Sequence, residues 1–471
     1  MSKLSRRSFL AAAGAIAASG AHGAPQQKSK GKPAARVIVD VVIVGAGAAG
    51  IAAARRVLFA GRTCVVLEAS DAVGGRCRTD RTIFGMPYDR GARALYTPES
   101  NPVARLALQN GFDIYPAPPG QRLRISRRYA RESEVEDMLS ALARTNAAIA
   151  DAARKADIAC AQAMPKDLGE WRSIIEFMLG PHFCGQDVAE TSAVDMARAA
   201  ERDVQAFCRQ GLGSVLAKLA ADLPVRTATP ATRIIWSGRP GVQVETAQRT
   251  IDARTVIVTA STNVLAAGKL AFAPELPKRQ VEAIERLKLG SFDHVTLELP
   301  GNPLALRSDE QVFERASNQR TAALLANISG STLCTVNVGG RFGRELAAKG
   351  TDEMIAFALD WLDGLYGAGL KRIVGRTHAT RWNEEPWIMG AMSAASPGGQ
   401  FARRALMDAL NNRIWFAGEA VHERLWGTVA GAWESGDRAA LAALQVIAPT
   451  PGSKQPAKRP KQPAKQPSPG R

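Results

Sequence analysis

The stretch "VIVDVVIVGAGAAGIAAARRVLFAGRTCVVLEAS", Val37 to Ser70, leaves this chain few folds to choose from. Val37 to Val44 is a nearly unbroken β-branched run, which predicts a strand covered on both faces. A tight turn over Gly45 to Gly50, a helix from Ile51 to Phe59 and a second strand from Thr63 to Leu67 complete one βαβ unit. Glycines at Gly45, Gly47 and Gly50 let the backbone, with Ala46 and Ala49, approach a pyrophosphate whose charge the helix N-terminus stabilises. Glu68 ends the second strand, where a carboxylate accepts ribose hydroxyls. Together these predict a dinucleotide site, without choosing NAD over FAD.

Of the 471 residues, the folded portion is nearly neutral although the chain carries +17. Thirteen of the basic residues lie in the acid-free segments 1–23, 24–36 and 449–471, which leaves +4 for 37–448 and argues against a nucleic-acid partner. "SRRSFLAAAGAIAASG", Ser5 to Gly20, pairs Arg6 and Arg7 with a short apolar run and small residues, the pattern of a twin-arginine export signal. That predicts passage through the twin-arginine translocase, as a folded protein, to the periplasm; an ordinary secretory peptide is the other reading. No later run is apolar enough for stable membrane insertion. The Pro/Lys-rich tail from Pro449 is predicted to stay disordered, as a solubiliser or a weak ligand for anionic lipid or cell-wall polymer. Six scattered cysteines argue against a zinc site or a dense disulfide framework, with pairing among Cys160, Cys184 and Cys208 left open.

Helices are predicted over Arg131 to Ala156, over Trp171 to Leu179 with a stop at Gly180-Pro181, and from Thr351. Val225 to Ala260 predicts an antiparallel meander. "NRIWFAGEA" and "GTVAGAWESGDRAALAAL" repeat the opening pattern of strand, glycine turn and helix. This return predicts a nucleotide-binding domain built from separated segments, interrupted twice.

"GGRCRT" at Gly74 to Thr79, "YDRGAR" at Tyr88 to Arg93, "FAGEA" and "GTVAGAWESGDRAA", in that order, resemble the flavin-containing amine oxidase superfamily. The resemblance runs from Val37 to Ala443 and implies an α/β fold: a Rossmann-like FAD-binding domain of GR2 type with an inserted mixed α+β substrate-binding domain. Its segments would be 37–111, 211–271 and 396–448 for FAD, and 112–210, mostly helical, with 272–395 for substrate. It also implies FAD contacts from Glu68, Gly75, Arg76, Gly91, Ala92, Arg93, Ala231, Gly418, Glu419, Thr428 and Val429. A solvated turn carboxylate is the alternative for Glu419, and a structural ion pair the alternative for Arg93. Trp387, Met392 and Trp426, with Arg93, would line the substrate pocket; Trp382, Trp415 and Trp433 read as core, and His182, His378 and His422 as carrying no role.

Three departures from the superfamily pattern bear on chemistry. His294, the candidate catalytic residue, stands where relatives usually carry a lysine that holds a water near the flavin. It is compatible with an oxidase, a weakened oxidase, a dehydrogenase using a periplasmic electron acceptor, or a histidine that merely fills a strand. Ala391 and Met392 replace a flavin-linking cysteine and a cage tyrosine, which implies non-covalent FAD. Arg93 lies about one residue from the arginine with which L-amino-acid oxidases clamp a carboxylate. The expected activity is oxidation of a small-molecule amine at its C–N bond, with oxygen as acceptor and hydrogen peroxide as product. A dehydrogenase or desaturase, an L-amino-acid oxidase and a non-catalytic FAD-binding partner protein are the alternatives.

Overall fold

The computed structural model describes residues 38–447, apart from 239 and 368. The expected leader, basic linker and C-terminal tail lie outside the described residues.

Strand Ile38–Val44 divides its side chains between two apolar layers, as strict alternation along a strand requires. Val41 and Ile43 pack with Ala49, Ala53, Ala439 and Ala443, from helices Ala48–Phe59 and Val429–Val446. Val42 and Val44 face the opposite layer, which includes Ile284 and Leu406 from helices Lys278–Arg286 and Ala402–Met407. A parallel core therefore forms from Cys64–Leu67, Ile38–Val44 and Thr250–Val258. The long strand Thr250–Val258 then forks. Its first half pairs antiparallel with Val242–Thr246, and its second half pairs parallel with Ile414–Phe416. Eight strands from three stretches of sequence thus make one sheet. Val225–Arg226, expected at the start of the meander, pairs instead with Cys64–Leu67 at the parallel edge.

A seven-stranded sheet is built mainly from later sequence, in the order Thr377–Ala379, Phe292–Glu298, Leu333–Gly339, Ala323–Ala326, Glu310–Glu314, Arg122–Ile125, Arg128–Tyr129. One face is apolar: Val295, Leu297, Val336, Val338 and Leu324 pack with residues of helix Thr351–Tyr366. The helical stretch before residue 210 contributes Glu132–Ala153, and also the hairpin at the sheet's edge.

The helix expected to stop at Gly180-Pro181 runs on instead, as Arg172–Phe177 followed by a π-helical turn Met178–His182. Proline has no N–H for an α-helical ladder, and the widened turn carries the chain past it. All six cysteines are buried and free, so no pair forms among Cys160, Cys184 and Cys208.

Candidate active site

The glycine turn opens the site, and its three glycines do different things. Gly45 has φ +104, and a Cβ on Gly50 would meet Gly45 O at 1.9 Å, so the turn closes on itself only with glycine there. Gly47 has no atom beyond its chain neighbours nearer than 4.0 Å to such a Cβ, where Gly74 O and Gly75 Cα lie. It caps helix Ala48–Phe59 with no side chain of its own, so the helix N-terminus faces open space. Glu68 accepts N–H bonds from Ala46 at 2.7 Å and Ser70 at 2.9 Å, which aims its carboxylate across the turn. Gly45, Gly47, Ala49, Glu68, Gly75 and Ala231 border one cavity; Ala46 and Gly50 shape the turn behind it.

The middle of that cavity is organised by Glu419. This buried carboxylate accepts Arg76 Nη1 at 2.7 Å, Ser393 Oγ at 2.6 Å and Gly427 N–H at 2.8 Å. Burial alone would raise its pKa, but Arg76, Ser393 and Arg403 outweigh burial and hold it below the usual carboxylate range. Thr428 caps helix Val429–Val446 by accepting Gly431 N–H at 3.0 Å, so a second helix N-terminus faces the cavity. Gly91, Ala92, Gly418, Val429 and Met392 also border it.

The remaining wall is the second face of the seven-stranded sheet. Alternation places His294, Thr335, Asn337, Leu325 and Gln311 on it, each bordering the cavity. His294 Nδ1 lies 2.6 Å from Asn337 Oδ1, its cross-strand partner, and Nε2 lies 3.1 Å from Gly91 O. Burial pushes the imidazole pKa down, against the opposing pull of those two contacts. Two carbonyl oxygens thus face a ring that, when neutral, has one N–H, so a turned Asn337 amide satisfies both. Arg93 borders the cavity too, but its guanidinium is paired with Asp309 and lies 4.0 Å over the Phe207 ring.

One placement differs from the sequence expectation. Trp426 does not line the cavity: it is 0 % exposed, packed edge-on against Phe183 with Arg403 over its ring. Trp382 is buried, as expected of a core residue, and also borders the cavity, with Nε1 donating to Arg90 O at 3.0 Å. Trp387 borders the cavity and is 37 % exposed, beneath Lys269. His182, assigned no role, enters from the π-turn, 3.0 Å from Gln311 Nε2. Polar residues two apart in the apolar strand "LCTVNVG" were the available signal for Thr335 and Asn337.

The donor set suits FAD. Gly47 and the helix behind it leave room and positive potential for a pyrophosphate, Glu68 suits ribose hydroxyls, and the Thr428 helix offers N–H groups to an electron-rich ring edge. Among the described residues, Cys77 is the only cysteine on the cavity wall, and burial pushes its thiol up to about 12.

Comparison with known proteins agrees with that fit. The family model described as flavin containing amine oxidoreductase matches residues 48–444. Human lysine-specific histone demethylase 2 is 26% identical over 446 residues, covering 85% of this chain and 53% of that protein. Lysine-specific histone demethylase 1 homolog 1 of Arabidopsis thaliana is 25% identical, over 86% and 52%. The chain thus spans about half the length of the curated relatives it matches. Cyclohexylamine oxidase from Brevibacterium oxydans IH-35A has the same fold, with TM-score 0.73 and 22% identity over 87% of this chain and 99% of that one. So does putrescine oxidase bound to putrescine, with TM-score 0.75 and 20% identity over 87% and 100%. The chain belongs to the flavin-containing amine oxidoreductase family.

Proposed function

We propose that the protein oxidises the C–N bond of a small-molecule amine to an imine, with FAD held non-covalently and dioxygen as acceptor, giving hydrogen peroxide. The observation that carries this reading is one cavity bordered both by the dinucleotide turn, Gly47 with Glu68, and by the polar sheet face around His294. Bound FAD would supply the two-electron acceptor for the amine. The chain's part is placement and electrostatics. Glu419 ties Arg76, Ser393 and Gly427 together, and the N-terminus at Thr428 favours negative charge beside it. His294 positions Gly91 through Nε2 and Asn337 through Nδ1. Non-covalent binding is supported by the high pKa of Cys77 and by Ala391 at the linkage position.

A second reading, a dehydrogenase with a periplasmic acceptor, is favoured by His294 itself: both ring nitrogens are engaged by protein, which leaves none free to hold a water. Arg93 gives Nη2 to Asp309 but keeps a buried Nη1 without a partner among the described residues, which leaves an L-amino-acid oxidase as an alternative. On Ser5 to Gly20 we further propose twin-arginine export of the folded protein to the periplasm.

Anaerobic addition of amines to the purified protein, followed by air, tests the assignment. Bleaching of the flavin band with rapid return in air is the expected result. Bleaching that persists in air favours the dehydrogenase, and no bleaching by any amine overturns amine oxidation in favour of a non-catalytic FAD-binding protein.

A further inference from the structure

The carboxylates that border the cavity are all engaged away from the polar sheet face. Glu68 is held by Ala46 and Ser70, and Glu419 by Arg76, Ser393 and Gly427. Asp89 accepts the Thr79 hydroxyl and Leu212 N–H, and Glu385 lies 3.8 Å from Arg90. The sheet face itself offers hydroxyl, amide and imidazole groups, Thr335, Asn337, Gln311 and His294, and His182 joins them from the π-turn. Asp309, the nearest acid to Arg93, is spent on that guanidinium, on Tyr115 Oη at 3.0 Å and on Ser329 N–H at 3.0 Å.

His182 and Gln311 form a discrete pair on this wall. The imidazole is wedged among Phe177, Phe292 and Phe313, with ring centroids 5.0 to 6.0 Å away, and burial pushes its pKa down to about 4. It is therefore neutral, and its Nδ1 has no partner. Gln311 lies three strands from His294 across the sheet, roughly 14 Å at the usual strand spacing of about 4.8 Å. A second ammonium brought to this end would leave water for neutral acceptors and the cation of Arg93, with no anion to compensate it. An uncharged hydroxyl or amide would exchange water for equivalent hydrogen bonds.

We propose that the substrate carries its only positive charge at the amine to be oxidised, and that its far end is an uncharged hydrogen-bonding group received by His182 and Gln311. This rests on the amine-oxidation reading and narrows it against diamines.

Three probes of equal chain length, each long enough to span about 14 Å, separate the cases: 1,10-diaminodecane, 10-amino-1-decanol and 10-aminodecanoate. Each is titrated anaerobically into the FAD-loaded full chain, and Kd is read from perturbation of the flavin spectrum, with bleaching followed separately. The aminoalcohol is expected to bind at least tenfold more tightly than the diamine. Equal or tighter binding of the diamine overturns the proposal, as does tightest binding of the carboxylate. Binding in the expected order without bleaching, also absent with decylamine, sinks amine oxidation and leaves the charge preference standing. Gln311→Glu is expected to narrow or invert the ratio of diamine to aminoalcohol Kd in protein that retains its FAD spectrum; an unchanged ratio overturns the assignment of Gln311.

Discussion

At the scale of single residues, the neighbour of His294 matters as much as His294. Asp293 is fully buried; its Oδ1 accepts Trp382 N–H at 2.9 Å and Thr380 Oγ1–H at 3.0 Å, while Oδ2 has no partner. Burial pushes this carboxyl from 3.8 to about 6, with Trp382, Thr380 and Arg381 opposing the rise and Glu384 adding to it. Its folded pKa exceeds the unfolded one, so the native state binds the proton more tightly and stability falls as pH rises from about 4 to 6. Asp293→Asn is therefore expected to stabilise the protein by about 2 kcal/mol at pH 7 and to do little at pH 4, as read by urea unfolding at both values. Local spacing made some site residues legible in the sequence, for Gly47, Glu68 and Arg76 lie within one βαβ unit and the turn after it. His182, Gln311, Asn337 and Trp382 share no local spacing. The pairing of separate strands and one π-turn bring them together, which no single window of sequence contains.

Among the elements, the two helices on the nucleotide sheet depend on small residues at their crossing. A Cβ on Gly436 would stand 2.0 Å from Ala49 O, so helix Val429–Val446 seats against Ala48–Phe59 only with glycine there. Gly436→Ala is expected to cost about 1–3 kcal/mol and to weaken FAD retention, because the displaced helices carry both N-termini that face the cavity. Thermal unfolding with and without added FAD measures both effects. Strongly periodic elements were readable in advance: the opening strand and helix, and Thr351–Tyr366, which ends at Gly367 with φ +62. The π-turn was not, since Gly-Pro reads as a helix stop wherever packing does not hold the chain in a wider turn.

For the whole molecule, the defining property is that its nucleotide sheet is assembled from both ends of the described chain. Strand Ile414–Phe416 completes the sheet beside Thr250–Val258, and Arg56 reaches Asp437 across 381 residues at 2.6 Å. A chain shortened to end at residue 411 loses that strand, the Glu419 cluster and the second helix N-terminus together. It is expected to accumulate without flavin, as read from the absorbance of its soluble fraction. The return of strand, glycine turn and helix near the C-terminus foretold this closure, because both ends of the sequence carry the same pattern. The order of synthesis gives the Arg56–Asp437 contact a further meaning. At about 5–20 residues per second, the glycine turn would wait roughly 20 to 80 seconds on the ribosome before its partner helix exists. For that interval the first strand and helix are apolar surfaces without their final neighbours, so the maker of this protein must shelter its beginning until its end arrives.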